Sequence, residues 1–248
     1  NTAVGYGSLD ANTTASNNSA FGHMALGANT TGGTNTAVGA SAGAATTTGS
    51  NNTFLGSTAG DANTTGLQNV AVGSAALTAN TTASNNTAVG FLALGSNTTG
   101  AGNTAIGHGS MDANTTGASN VSVGQNALGA NTTASGNNAL GVNALLNTTT
   151  GANNTGMGYA ALQANTTGAA NTAVGYTAFA ANTEADGGVA IGNRALDANT
   201  TGDYNVGIGH DALGANTTGT LNVAIGATAL DANTTASNNT AVGYGALT

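Results

Sequence analysis

The sequence predicts an all-β fold, a parallel β-solenoid (β-roll) with 17-residue coils and two short strands per coil. Three observations carry this: a motif that returns every 17 residues, period-2 alternation within the repeat, and a glycine that never varies at one place in it. The motif Asn-x-Ala-Val-Gly, with close variants, begins at Asn1, Asn18, Asn35 and Asn52 and continues in steps of 17, through Gly188, to Asn239. There is no insertion or deletion, and fourteen full repeats plus ten residues of a fifteenth account for all 248 residues. Fixed internal periodicity marks stacked units, none of which can bury its apolar face alone. Residues 1–248 therefore read as one continuous solenoid of about 14.6 repeats, and as a segment of a longer fibre.

With the repeat numbered 1 to 17, each column has a physical reading. Position 4 is always apolar, as at Val4, Phe21, Val38, Leu55, Val72, Val89 and Ile106, and position 9 is usually Leu, as at Leu9, Leu26 and Leu77. The pairs Thr2/Val4 and Leu9/Ala11/Thr13 alternate at the spacing that puts side chains on one face of a strand. A helix needs apolar residues at i, i+3, i+4 and i+7, and a Gly-rich repeat with β-branched residues suits it poorly. Gly5, Gly22, Gly39 and Gly56 open an invariant column that predicts a corner with positive φ or close backbone approach. The Asn-Thr-Thr-Gly segment predicts a second turn.

Stacked coils place equivalent residues ~4.8 Å apart, giving a rod of roughly 70 Å. The position 4 and position 9 residues are then expected to form two core ladders, and the Asn columns at positions 1 and 12 to form amide ladders. Such a core is thin. Each large buried side chain contributes roughly 1.5–3 kcal/mol, against the ordering of a whole coil. A homo-oligomer is therefore expected, a trimer first and a bundled or stacked filament second. The small-residue columns Ala3, Ala20, Ala37 and Ser8, Ala25, Ala42 are its expected contact faces.

Composition removes several function classes. One Arg, no Lys and nine acids give a formal net charge of −8, which leaves no electrostatic footprint for nucleic acid or anionic membranes. No run approaches the ~18 apolar residues that span a bilayer, so membrane insertion is not expected. Without Cys there is no disulfide framework and no thiol nucleophile. The repeat geometry brings no Ser-His-Asp set together, and the Gly-rich text lacks the Lys and the strand-to-helix step of a phosphate loop. Enzymatic chemistry is not expected.

The remaining candidates are columns and patches. Tyr6, Phe91, Tyr159, Tyr176 and Tyr244 share position 6, where aromatic faces suit stacking on the sugars of a receptor glycan or packing against a neighbouring chain. His23, His108 and His210 share that column but lie five and six rungs apart. They cannot share a metal within one chain, though three copies of one His could converge in a trimer. Glu184, Asp186 and Asp203 fall near one corner and form a candidate calcium site. Arg194 and Asp211 occupy one column on adjacent rungs and are expected to pair at the surface. Asp10, Asp61, Asp112, Asp197 and Asp231 share position 10 and read as solvated turn acids. Asn-Thr-Thr recurs eleven times in register, as at Asn12, Asn63, Asn114 and Asn233. Each copy is a glycosylation sequon or, on the reading preferred here, a ladder residue.

The segments Asn-Val-Ala-Ile-Gly at 222–226 and Gly-Val-Ala-Ile-Gly at 188–192 resemble the head repeats of YadA-like trimeric autotransporter adhesins. The longer unit Asn-Thr-Ala-Val-Gly-Tyr-x-Ala-Leu-x-x-Asn-Thr-Thr-Gly, present in part at 171–185 and at 239–247, is similar to repeats of phage tail-fibre-like proteins. The first resemblance implies a trimeric, left-handed β-roll, although its repeat is shorter than 17. Both imply a structural fibre or shaft, extracellular, on a cell surface or virion, with receptor- or glycan-binding side faces. Two other readings fit the columns: an ice-binding solenoid displaying Thr13, Thr30 and Thr47, and a self-assembling extracellular filament. Against the ice-binding reading, Thr13 and Thr14 point to opposite faces of a strand.

Overall fold

The computed structural model describes all residues, Asn1–Thr248, and contains strands and turns but no helix. The chain is a parallel β-solenoid with 17-residue coils. It divides into two compact units, Asn1–Asn120 and Val121–Thr248. Fifteen three-residue strands occupy positions 2–4 of successive repeats. They run from β1 (Thr2–Val4) to β7 (Thr104–Ile106) in the first unit, and from β8 (Val121–Val123) to β15 (Thr240–Val242) in the second. Within each unit every strand pairs in parallel with the strand of the next repeat, always in the register i to i+17, as in Ala20 with Ala37 and Ala190 with Gly207.

The corner after each strand is made by the invariant glycine. From Gly5 to Gly243 this column has φ between +128° and +142°, a region that residues with a Cβ avoid. Space is restricted as well as conformation: a Cβ on Gly90 would lie 2.5 Å from the carbonyl oxygen of Gly107 on the next rung.

Three expectations are corrected. First, the strand faces the other way. Position 3 is the buried one, with Ala20, Ala37, Ala71 and Ala88 fully enclosed. Positions 2 and 4 point outward, and Phe21 and Leu55 remain 41% and 44% exposed. Val4 and Ile106 are exposed and Val38, Val72 and Val89 half-buried, so the position 4 ladder is not core. The reason is width. A Cβ built at Gly156, a position 3 residue, meets Cγ of Leu145 from the preceding rung at 3.1 Å. With Leu filling the coil from position 9, the facing strand residue has room only for Ala, Ser or Gly.

Second, each coil has one strand, not two. The segment holding Leu9, Ala11 and Thr13 is a chain of turns, closed by the bonds Ala25 N–H to Gly22 O, Gly27 N–H to Met24 O and Asn29 N–H to Leu26 O. Positions 7 and 9 have positive φ, the sign that a type II turn takes at its third residue. At position 9 this applies to Leu, Met and Phe, with φ between +50° and +55°. Holding a non-glycine residue there costs about 1–3 kcal/mol. Full burial of that side chain, worth roughly 1.5–3 kcal/mol, offsets it, and Leu26, Leu77, Leu94 and Leu128 are all fully buried. The Leu9, Leu26, Leu77 ladder is therefore core, as expected.

Third, the Ala3 and Ser8 columns are not free to contact another chain. Ala20, Ala25, Ala37 and Ala42 are completely buried within their own coil.

Both amide ladders are present. At position 1, Asn35 N–H donates to Oδ1 of Asn18 at 2.8 Å, and its Nδ2 crosses the coil to the Gly49 carbonyl at 2.8 Å. At position 12, Asn80 Nδ2 donates to Oδ1 of Asn63 at 2.9 Å and to the Ala83 carbonyl at 3.0 Å. Buried amides thus find partners in the rung above, the rung below and the opposite wall, which removes the desolvation cost of burying them.

Candidate functional site

With the interior assigned to Ala, Leu and Asn ladders, whatever the chain does in contact with other molecules falls to its outer columns. The broadest is the outer face of the strands. Every rung there presents Thr, Val, Ser or Asn at position 2 and Val, Ile, Leu, Phe or Met at position 4, with no charged residue in either column. None of these side chains is buried. In the second unit this face is indented by a depression of about 510 Å³ lined by Val121, Val123, Asn138, Leu140, Thr155 and Met157. Sequence reasoning placed the position 4 residues in the core. The signal that could have reversed it is the near-invariance of small residues at position 3.

Across the glycine corner lies position 6, where Tyr6, Phe91, Tyr159, Tyr176 and Tyr244 are all exposed. The structure stacks neighbours in this column. Tyr6 lies on His23 at 5.6 Å between centroids, Phe91 on His108 at 5.5 Å, and Tyr159 on Tyr176 at 5.4 Å, with interplanar angles of 14°, 26° and 11°. Such offset pairs are mutually attractive, and they are also open to solvent. Tyr204, at position 17, was missed by the column argument. It is exposed, and its ring lies over the Cα of Gly187, where a Cβ would come within 2.6 Å of its Cδ1.

The acidic patch does not converge. No group of three or more His, Cys, Asp or Glu side chains is arranged to hold a metal ion. Oδ1 of Asp186 accepts the Ala169 amide at 2.7 Å, and Oδ1 of Asp203 accepts the Asp186 amide at 2.9 Å. These carboxylates tie one rung to the next, as Ser50 and Ser84 do in the same column. The calcium site expected at Glu184, Asp186 and Asp203 is corrected accordingly.

The expected pair of Arg194 with Asp211 is present at 3.3 Å, and Arg194 Nε also contacts Asp197 at 3.1 Å. Its hydrogen bond to Asp197 and the two nearby carboxylates hold the guanidinium pKa above its usual value. These groups, with Asp231, line a cavity of about 370 Å³ beside Gly214. His210 sits against Asp211 at 3.0 Å. Asp112 departs from the solvated turn acids of its column: burial raises its pKa, opposed by backbone hydrogen bonds and by His108.

The eleven Asn-Thr-Thr sequons lie with their Asn at position 12, fully buried at Asn29, Asn63, Asn97 and Asn199, and with Nδ2 bonded within the coil. At these enclosed copies a folded chain offers no acceptor, whereas Asn12 and Asn233 are only half-buried. The following Thr column is also engaged: Oγ1 of Thr30 donates to the Thr47 carbonyl at 3.1 Å, and Thr64 to Thr81 at 2.9 Å.

No helix is long and apolar enough to cross a membrane. No protein-family description, curated protein or solved structure matches the chain.

Proposed function

We propose that the chain is a structural module of an extracellular fibre, a shaft segment on a cell surface or virion, in which copies associate through the outer strand face. The carrying observation is that face: one uncharged pair per rung, always apolar at position 4, left in solvent by a chain that buries even its amides. Interface cores are depleted of charge in the same way. The net charge of −8 is carried by the other columns, so copies can approach along this face without like charges meeting. A trimer is the assembly that the YadA-like resemblance implies. The exposed aromatic column at position 6 runs alongside, and it supplies a stacking surface for a receptor glycan on the flank of such a fibre.

The ice-binding reading is less well supported. Hydroxyls of the Thr13 column already donate to backbone carbonyls, which leaves them only as acceptors toward water.

Light scattering on the purified chain tests the proposal. A mass of three times 23.2 kDa is expected at micromolar concentration, falling to one chain in the Val72→Asp, Val89→Asp variant with its β circular dichroism retained. A parent that runs as a single chain contradicts the proposal.

A further inference from the structure

Five interior residues break the column rules of the repeat in matched groups of an aromatic ring and glycines. Phe54 is the one aromatic at position 3, and Gly43 and Gly60 are the two glycines at position 9. Phe179 is the one aromatic at position 9, and Gly188 is the one residue other than Asn at position 1. The structure brings these exceptions together in two groups. Phe54 is fully buried, and its ring occupies the space that position 9 side chains fill elsewhere. A Cβ on Gly43 would lie 2.5 Å from Phe54 Cδ2, and one on Gly60 would overlap the opposite edge of the same ring. Phe179, also fully buried, occupies the side-chain space of Gly188, where a Cβ would come within 2.7 Å of its Cζ.

Each group spans two rungs. Phe54 and Gly60 belong to the fourth repeat and Gly43 to the third; Phe179 belongs to the eleventh and Gly188 to the twelfth. Within each unit the backbone pairing and the amide ladders are nearly the same from rung to rung, so they do not discriminate which rung follows which. A ring that needs a hole in the adjoining rung does. Other rungs present Leu, Met or Phe at position 9, and a close-packed interior accepts no extra ring. We infer that Phe54 with Gly43 and Gly60, and Phe179 with Gly188, are order locks that specify which near-identical rungs stack on one another as the chain folds. Position 3 of the fourth repeat fits against the third repeat and against no other.

The test uses the absence of Cys in the chain. Spin labels on cysteines at exposed Thr14 and Thr99 are five rungs apart, roughly 24 Å along the stack. After refolding from denaturant, the parent is expected to give one distance population. The variant Gly43→Leu, Phe54→Ala, Gly60→Leu restores the repeat consensus. It is expected to give a second population shorter by about 4.8 Å, one rung looped out. Adding Leu77→Gly, Ala88→Phe and Leu94→Gly moves the lock two repeats along and should restore a single population. Should the first variant fail to fold, Phe179→Leu with Gly188→Asn is read in the same way from labels at Thr133 and Thr218. A consensus variant that refolds to the parent's single distance, or a transplanted lock that leaves two populations, overturns the inference.

Discussion

At position 12 a single residue shows what the amide ladder contributes. Where Asn follows Asn, Oδ1 commonly receives an Nδ2 from the next rung, as Asn97 receives Asn114 at 2.8 Å. Thr46 breaks the series, and the buried atoms Oδ1 of Asn29 and Oγ1 of Thr46 are left without a hydrogen-bond partner. Thr46→Asn restores the step and is expected to raise stability by about 1 kcal/mol. A denaturant midpoint that does not move would contradict this. Asp112 is the converse case, a carboxylate whose folded form resists ionisation because burial dominates its surroundings. Its folded pKa lies above the unfolded one, so ionisation favours the unfolded chain. The group costs stability above its folded pKa, and that cost disappears as pH falls through the ordinary carboxylate value of about 3.9. Asp112→Asn should therefore melt higher than the parent at pH 7 and equally at pH 3. A gain of the same size at both pH values would rule this out.

For the strand and its turns, the sequence was legible in some respects and misleading in others. The 17-residue coil, the glycine corner and both Asn columns were readable because each depends on one residue type with one physical role. The facing of the strand was not. Alternation of period 2 defines two faces without saying which is inside, and choosing the larger side chains put Val and Ile in the core. Only the diameter of the coil, set by Leu reaching across from position 9, gives the inside to Ala. The second segment misled for a related reason: Leu9, Ala11 and Thr13 alternate as a strand would, and nothing in a Leu signals a positive φ. These facings predict opposite responses at adjacent residues. Ala88→Val is expected to overpack the coil at about 1–3 kcal/mol, whereas Val89→Thr should change the stability of the isolated chain by less than about 0.5 kcal/mol. Thermal melts in which Val89→Thr is the more damaging of the two would reverse the assignment.

On the scale of the whole molecule, two features bear on function, and they differ in how the sequence announced them. The aromatic column at position 6 is evident in the sequence, and the structure adds that Tyr6, Phe91, Tyr159 and Tyr176 each stack on a neighbouring ring and stay open to solvent. The apolar outer face was hidden, because residues assigned to a core are not considered for contact with anything else. Self-association through that exposed face can be read from single cysteines, because the chain has none of its own. Val89→Cys, on the outer face, should cross-link copies into disulfide-bonded dimers on mild oxidation, while Ala88→Cys, one residue away and fully enclosed, should remain unreactive until the chain is denatured. Cross-linking at residue 88, or none at residue 89, would rule out association through this face.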